Sequence, residues 1–452
     1  MEDENYNHKL HINTDEEMKE VLNQYNLNQK SLMFALFLSM LVDVLGFTLI
    51  LPLLPTIAEY FDASKFMVGV IISANSLTSL IFGPIWGRLS DKYGRRPILI
   101  ISQAGTFVAF IILAFAQGPY GIYIVIGARL LDGVFGGQLP IIRAIISDIT
   151  TPHTRPDKMS KVMVGVSLGA LAGPLLGGIL GDEKFFGEFA WKIPPLVTAG
   201  LSIISIVITL KVLKETMPAK RREDLQRAKE QNHKLIGKSI FSKELVLRLF
   251  QTFFFNAILV MFNSASPFVI KDRYGGGPMT IGLLTAAMIL SMVFFAIIVF
   301  RPLRRKYGIK VLSLVAAVSI IAAFLYFPFM EDLWMISIFL PFYTIYMSFG
   351  RPIINVNTLK AVDATRQGEV SGWSTTVQSI AQTLMPLIAT GILQIEGISV
   401  GAFSLNEYWT LGVVAALIGV ILLLLLIRDI RKYPKTFEKG PDEKKKELNI
   451  SL

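Results

Sequence analysis

The chain has no cysteine and only four histidines among its 452 residues. Without cysteine there are no disulfide bonds and no metal sites built on thiolates. The histidines, His8, His11, His153 and His233, lie in polar stretches, so we expect no histidine-based metal or proton site in the apolar part of the chain. Clustered carboxylates with metal-ligand spacing are also missing. We therefore expect no metal, no cofactor and no enzymatic activity.

Charged residues are scarce as well, at 17% of the chain, whereas soluble proteins contain about a quarter. The charges are grouped, and the apolar runs between them have the ~20 residues that a helix needs to cross the hydrocarbon core of a bilayer. These runs lack period-2 alternation, which favours helices over barrel strands. We predict an all-α integral membrane protein with twelve spans, at 32–55, 66–86, 97–116, 121–146, 162–181, 193–213, 247–270, 279–300, 310–329, 333–356, 371–395 and 408–427.

The 44 lysines and arginines alternate between the two sides of the predicted membrane. The tails and the loops after even-numbered spans hold most of them, and this asymmetry predicts that both termini are cytoplasmic. The net charge of +10 therefore reflects topology, and we expect no nucleic-acid partner. The acidic first thirty residues contain no apolar signal-peptide segment, so we expect span 1 to remain in the mature protein, in the plasma (cytoplasmic) membrane. The opposite loops hold only Lys65, Lys184, Lys192, Lys271 and Arg273.

The longest polar stretch between spans predicts a linker that divides the chain into two halves of six spans, and these halves resemble each other. RPLRRKYGIK, after span 8, repeats GRLSDKYGRR, after span 2, at an offset of 214 residues. Repeats of this kind place a substrate site near the midplane between them. The predicted organisation is a cytoplasmic polar N-terminal tail (1–31), a six-helix half (32–213), a cytoplasmic linker (214–246), a second six-helix half (247–427) and a basic cytoplasmic tail (428–452).

Four sequence elements occur in spans 1, 4 and 5 and in the loop between spans 2 and 3. They are Asp43, Gly46, Pro52 and Pro55 in span 1; Gly87, Leu89, Asp91, Gly94, Arg95 and Arg96 in the loop; Arg129, Asp132, Gly133, Gly136 and Gly137 in span 4; and Gly169, Gly173, Pro174, Gly177 and Gly178 in span 5. Together they resemble the motifs of the major facilitator superfamily, in particular its twelve-helix drug/proton antiporter branch, which includes the tetracycline exporters. The resemblance implies the major facilitator fold, in two pseudo-symmetric halves, and export by alternating access with the proton gradient as the energy source.

The charged loop after span 2 is implied by this resemblance to be a gate. Asp91 would face the beginning of span 11, and Arg95 would pair with Asp148, which together would latch the halves. The alternative is that the loop only anchors the topology, although an anchor needs no acid. The second copy has Arg305 in place of Asp91, so only one half would keep the full latch. The predicted gate residues are Gly87, Asp91, Gly94, Arg95, Arg96, Arg143 and Asp148.

Three charges lie deep within spans, where a charge costs ~2.5 kcal/mol or more and is a functional candidate. One arginine between two aspartates can hold a proton or a cation. We predict that Asp43 exchanges protons and that Arg129 tunes it, with Asp132 as a further member. The alternative is a static structural pair of Asp43 and Arg129. The glycines of span 5, with Pro174, are implied to pack closely, to bend the helix and to favour exchange over uniport.

The second half has no acid at midplane depth, but it has amide and aromatic side chains that could line a cavity for a bulky amphiphile. Hydrogen bonding between helices is the alternative for each of them. The candidates are Asn256, Asn263, Gln378, Gln382, Phe254, Phe262, Tyr343 and Tyr346, with Asn75 as their counterpart in the first half.

The sequence therefore predicts a proton-coupled antiporter that exports an amphiphilic small molecule, drug-like or tetracycline-like. Its partners would be that substrate, protons and the lipid bilayer, and we expect a monomer. Two alternatives stay open: an exporter or flippase of a native metabolite, sugar or lipid, and a non-transporting membrane receptor.

Overall fold

The computed structural model describes residues 14–25, 27–217, 240–363, 366–395, 398–400 and 403–437. These residues form α-helices and one short antiparallel hairpin of β1 (Ile398–Val400) and β2 (Phe403–Leu405), in which Ser399 lies opposite Ser404. The prediction of a helical membrane protein is confirmed. Most of the predicted linker and of the predicted C-terminal tail, and residues 1–13 and 26 of the predicted N-terminal tail, lie outside the described residues.

The described part contains eleven helical segments that are long and apolar enough to cross a membrane. Two of the predicted spans, 8 and 9, fall in a single helical segment, Pro278–Phe329, which has 52 residues. At ~1.5 Å per residue this segment is more than twice as long as the ~30 Å hydrocarbon core is thick. Gly308, within it, has non-helical angles, φ 76° and ψ 169°. The segment therefore has room for two crossings that turn near Gly308, and the count of twelve depends on this turn.

The described residues form two compact units. The first lies within Met1–Ile57 and Ala74–Lys238, and the second within Ala58–Ser73 and Ser239–Leu452. Residues 58–73 fall in the predicted first half (32–213) but group with the second unit. The predicted domain boundaries stay a prediction. Helices α1 to α10 are Asp15–Gln24, Gln29–Leu49, Leu54–Tyr60, Lys65–Tyr93, Arg95–Ala114, Gly121–Phe135, Gln138–Asp148, Arg155–Leu180, Glu183–Phe186 and Ile193–Val212. Helices α11 to α17 are Lys243–Tyr274, Pro278–Phe294, Phe300–Tyr326, Ile336–Ile345, Arg351–Leu359, Gln367–Gln394 and Glu407–Lys432. Short 3-10 turns lie at Leu51–Leu53, Gly187–Lys192, Phe327–Phe329, Leu333–Met335 and Pro434–Phe437, and π-helical turns at Phe295–Val299 and Tyr346–Gly350.

Local capping fixes the beginning of two long helices. Asn28 starts α2, because its side-chain oxygen accepts hydrogen bonds from the backbone N–H groups of Lys30 and Ser31. Ser242 starts α11 in the same way, by accepting the backbone N–H of Leu245 at 3.0 Å. Each cap satisfies donors that the first turn of a helix leaves unpaired.

The fourth and tenth spans lose regular α-helical geometry at equivalent positions. In the first unit α6 ends at Phe135 and α7 begins at Gln138, with Gly136 and Gly137 between them. In the second unit a π-helical turn, Tyr346–Gly350, separates α14 from α15. Gly350 follows Gly136 by 214 residues, the offset of the sequence repeat. Interrupted helices in corresponding positions of two repeats are typical of transporter binding regions.

The residues between the first two spans are held within the second unit. Lys65 forms an ion pair with Asp272, with 2.5 Å between Nζ and Oδ2. Glu59 forms an ion pair with Lys271. The backbone N–H of Phe66 also donates to Gln394 Oε1 at 3.0 Å. The end of α3 and the beginning of α4 are therefore attached to α11 and α16.

Candidate functional site

Asp43 lies on α2 in the first unit and is partly buried. Gln138, the first residue of α7, donates a hydrogen bond from Nε2 to Asp43 Oδ1 over 2.9 Å. The other end of this amide, Oε1, accepts a hydrogen bond from Ser39 Oγ at 2.7 Å. Within the described part of the chain, no lysine or arginine forms an ion pair with Asp43. The carboxylate is therefore bound by a neutral amide alone.

Arg129 and Asp132 form a buried pair on α6. Arg129 Nη1 lies 2.9 Å from Asp132 Oδ2, and Asn75 Nδ2 donates to the same oxygen at 2.8 Å. The guanidinium group also lies over the ring of Phe47, 5.6 Å from its centre. Arg129 thus neutralises Asp132, and the alternative of a static pair between Arg129 and Asp43 does not match this geometry. The tuning of Asp43 by Arg129 stays a prediction.

Arg95, the first residue of α5, joins two acids of the predicted gate. Its Nη1 lies 2.6 Å from Asp91 Oδ1, and its Nε lies 3.1 Å from Asp148 Oδ2. Nη1 also donates to Ser90 Oγ at 2.7 Å. The arginine is only 5% exposed, although it stands in a loop expected to be polar. The implied pairing with Asp148 is present, whereas the implied contact of Asp91 with span 11 stays a prediction.

Glu215, which follows α10, is a member of this cluster that the sequence did not indicate. Its carboxylate accepts the backbone N–H groups of Arg95 and Arg96, at 2.9 and 3.1 Å. The position is the N-terminus of α5, where unpaired N–H groups and the helix dipole favour negative charge. Gly94 directly precedes α5 and has a φ of 108°, and a Cβ at this glycine would lie 2.5 Å from the Glu215 carboxylate. A side chain other than hydrogen at this position would displace the cap.

The remaining gate residues have less specific surroundings. Arg96 Nη2 donates to the backbone oxygen of Leu210 at 2.6 Å, which ties α5 to the end of α10. A Cβ on Gly87 would meet only Pro140, at 3.8 Å. Arg143 is exposed on α7. The gate roles of all three stay predictions.

The glycines of span 5 lie against the backbone of α2. A Cβ on Gly169 would come within 2.7 Å of the Leu41 oxygen, and a Cβ on Gly177 would overlap the Leu49 oxygen. Thr48 on α2 crosses this interface, donating from Oγ1 to the Gly169 oxygen at 3.1 Å. Gly173, Pro174 and Gly178 are also buried, and α8 continues as one helix through the proline. Two helices in direct backbone contact fit the implied packing role.

Aromatic side chains in the second unit surround Tyr343. This residue and Tyr346 follow Arg129 and Asp132 by 214 residues, so tyrosines occupy the positions of the buried ion pair in the other repeat. The ring of Phe262 lies 4.7 Å from that of Tyr343, and the tyrosine hydroxyl donates to Asn263 Oδ1 at 3.4 Å. Tyr346 donates to the Phe255 backbone oxygen at 2.9 Å. Phe262 also lines an apolar cavity with Phe327, Phe339 and Met288.

The other candidates for the substrate cavity are dispersed. Asn256 donates to the Thr252 oxygen on its own helix at 2.8 Å, so its amide is partly used within α11. Phe254 packs edge to face on Phe253, with ring centres 5.3 Å apart. Gln378 is partly buried and Gln382 is exposed, both on α16. A substrate role for these side chains stays a prediction.

A buried charge cluster in the second unit was missed at the sequence level. Arg248 Nε lies 3.3 Å from Asp429 Oδ2, and both side chains are fully buried. Arg248 also pairs with Glu244 at 2.7 Å and donates to the Asn357 backbone oxygen at 2.6 Å. Gln251 donates to Asp429 as well, at 3.2 Å. The cluster joins α11, α15 and α17 and is a structural brace.

Known proteins of similar sequence and structure define the class of this membrane protein. The family model described as Major Facilitator Superfamily matches residues 36–386. The chain is 28% identical to the class B tetracycline resistance protein of Escherichia coli over 66% of this chain and 72% of that protein. It is 25% identical to multidrug resistance protein 2 of Bacillus subtilis (strain 168), over 83% and 91% of the two chains. The crystal structure of a bacterial homologue of the human lysosomal transporter Spinster superposes with a TM-score of 0.70 at 14% identity, covering 90% of this chain and 98% of that one.

The helical architecture and the family match together define a multi-pass membrane transport protein. The chain belongs to the Major Facilitator Superfamily. The predicted fold and family are therefore confirmed.

Proposed function

We propose that this chain is a proton-coupled antiporter that exports an amphiphilic small molecule, with Asp43 as the group that accepts and releases the proton. The observation that carries the proposal is the bonding of Asp43 to Gln138 alone, without a cationic partner among the described residues. A charge within a membrane span costs ~2.5–3.5 kcal/mol, so such a carboxylate gains from taking up a proton. Asp132, in contrast, is already neutralised by Arg129.

The substrate class rests on the relatives and on the second unit. Two relatives are named for resistance to tetracycline and to multiple drugs, and both matches cover two thirds or more of their lengths. Phe262, Phe327 and Phe339 line an apolar cavity, and aromatic rings are surfaces against which aromatic compounds pack. These features support a drug-like, tetracycline-like amphiphile more than a sugar.

The proposed cycle couples two ligands to one conformational equilibrium. A ligand shifts such an equilibrium only when it binds the two states differently, and the proton on Asp43 supplies that difference. We place both termini in the cytoplasm and the protein in the plasma membrane, so protons would enter as substrate leaves. The protein would work as a monomer, with no cofactor besides the proton gradient.

Inside-out membrane vesicles with an acidic interior test this proposal. Tetracycline and a series of lipophilic cations are added one by one in sodium-free buffer, and a pH-sensitive dye reports the gradient. The variants are Asp43→Asn and, as a control, Asp157→Asn, which removes an exposed carboxylate at the beginning of α8. We expect at least one compound to collapse the gradient with the wild type and the control, but not with Asp43→Asn.

Normal exchange by Asp43→Asn, inserted at the wild-type level, would show that another group carries the proton. No response of the wild type to any compound would favour export or flipping of a native metabolite, sugar or lipid.

A further inference from the structure

A small cavity lies beside Asp43 within the first unit, about the size of one water molecule. Its walls come from α2, α5, α7 and α10. The side chains that line it are almost all oxygen-bearing: Asp43, Ser39, Gln103, Thr106, Ser202 and Ser205, together with Gln138. Apart from Asp43, they carry no charge. The cavity is therefore a polar chamber whose lining contains one carboxylate.

Two oxygens in its wall have no hydrogen-bond partner. They are Gln103 Oε1 and Thr106 Oγ1, on side chains that are each 3% exposed. The amide nitrogen of Gln103 donates to the hydroxyls of Ser39 and Ser205, at 2.9 and 3.1 Å, so its carbonyl oxygen is the free end. A buried polar group without a partner costs ~1–3 kcal/mol. A ligand that binds these oxygens would recover this energy.

The hydrogen bonds around the chamber leave lone pairs available. Ser202 donates its hydroxyl proton to the Thr198 backbone oxygen at 2.9 Å, which leaves its oxygen free to accept. Ser39 Oγ donates to Gln138 Oε1, and Gln138 Nε2 in turn donates to Asp43 Oδ1. The nitrogens of both amides are thus engaged with protein groups. What the chamber offers to a ligand is oxygen, the donor atom that hard cations prefer.

Charge balance limits the ligand to one positive charge. Arg129 and Asp132 neutralise each other nearby, so ionised Asp43 leaves a single negative charge. A divalent ion would leave an uncompensated positive charge within the membrane, which is costly. The small volume favours a compact monovalent ion over a large one.

We propose that this chamber binds a sodium ion, held by the Asp43 carboxylate, Gln103 Oε1 and Thr106 Oγ1 with the surrounding serine hydroxyls. The inference deepens the proposed function, on which it rests through Asp43. Sodium and a proton compete for the same carboxylate, so the ion gradient that drives the protein includes sodium.

Thermal unfolding of the purified full-length chain in detergent tests the site without transport. Sodium chloride is titrated against potassium and choline chloride at constant ionic strength, and tryptophan fluorescence reports the unfolding temperature. We expect a saturable rise of about 5 °C with sodium, because a ligand that binds only the folded state stabilises it. Each unit of acidification should raise the half-saturating sodium concentration about tenfold while protons occupy Asp43.

Two variants and one control decide the location of the site. Thr106→Val removes one ligand oxygen at constant shape, and Asp43→Asn removes the charge; both should abolish the sodium-specific rise. Thr198→Val is the matched control, since Thr198 is buried in the same unit and donates to the Pro194 oxygen outside the chamber. It should keep the full rise.

Equal unfolding temperatures of the wild type in sodium and choline would overturn the proposal and leave a water molecule as the occupant. A sodium-specific rise that survives Thr106→Val would also overturn it, and this variant decides the question even if Asp43→Asn does not fold. The vesicle assay in sodium-free buffer is independent, so exchange without a sodium effect, or the reverse, shows which of the two proposals fails.

Discussion

Gln138 donates a hydrogen bond to Asp43 directly after the helix interruption at Gly136 and Gly137. Because α7 begins at Gln138, any change of backbone angle at the two glycines moves the donor relative to the carboxylate on α2. The hydrogen bond from Gln138 to Asp43 therefore lies at the point where the helix of the fourth span is interrupted. This arrangement can couple the proton affinity of Asp43 to the conformation of the span.

Gln138→Leu should lower drug-dependent proton exchange about tenfold. A hydrogen bond to a charged group contributes ~1.5–3 kcal/mol, and ~1.4 kcal/mol corresponds to a factor of ten in rate. Initial rates in the sodium-free vesicle assay measure the effect. Ser167→Ala is the control, since it removes an exposed serine hydroxyl that donates to the Met163 oxygen on its own helix, and it should stay within twofold of the wild type. Equal rates for Gln138→Leu and Ser167→Ala would show that Gln138 has no role in proton coupling.

Asp132→Asn should destabilise the protein more than the double variant Arg129→Gln/Asp132→Asn. The single change leaves Arg129 buried without a counter-charge, at a cost of ~3 kcal/mol, and the second change removes that charge. Unfolding temperatures of the wild type, both single variants and the double variant form a double-mutant cycle. Additive effects would mean that the ion pair seen at 2.9 Å contributes no coupling energy.

Gly177→Ala should reduce folded protein in the membrane strongly. Its Cβ would overlap the backbone oxygen of Leu49, and backbone atoms of two packed helices cannot move aside without separating α8 from α2. Gly127→Ala, in α6, is the matched control, because a Cβ there meets nothing within 4 Å. Alanine is preferred to glycine in a helix by ~1 kcal/mol, so this variant should be neutral or more stable. Size-exclusion profiles and unfolding temperatures in detergent compare the two, and similar behaviour of both variants would contradict the close packing.

Arg95→Lys should lower transport at least tenfold although it keeps the charge. The guanidinium group reaches Asp91 and Ser90 through Nη1 and Asp148 through Nε, and a single ammonium group cannot reproduce this fork. Arg88→Lys is the control, since Arg88 lies near the end of α4, in the same charged sequence element, with a largely exposed side chain. Transport by Arg95→Lys at the level of Arg88→Lys would reduce the role of the loop to that of a topology anchor.

The fold could be predicted from the sequence because each span is a continuous apolar run, and lipid permits only backbone structures that pair internally. Spans 8 and 9 are the exception. Their helices continue through the charged residues 301–310, and the turn depends on the positive φ of Gly308, which a hydropathy pattern does not show.

The site could be predicted only in part. Asp43, Arg129 and Asp132 are charges in apolar surroundings, and this cost is visible in the sequence. The partner of Asp43 is not visible there, because Gln138 lies 95 residues away. Glu215 is hidden for the same reason, since it lies 120 residues from the backbone N–H of Arg95 that it accepts.

The pair of Arg248 and Asp429 was hidden for a different reason. The two residues are 181 positions apart, and each lies near the edge of a predicted span, where a charge normally marks the end of the membrane. Only the packing of α11 on α17 buries them together.

The correspondence of Gly136 and Gly350 bears on how such a chain diverges after duplication. Both repeats contain an interrupted helix at the same register, but the first carries Arg129 and Asp132 where the second carries Tyr343 and Tyr346. The helix interruption is thus common to both repeats, whereas the side chains at the two preceding positions differ. If the second repeat recognises the substrate, as proposed, changes at Tyr343 and Tyr346 would alter which compounds are exported, while the first repeat, which contains Asp43, would keep its proposed ion chemistry.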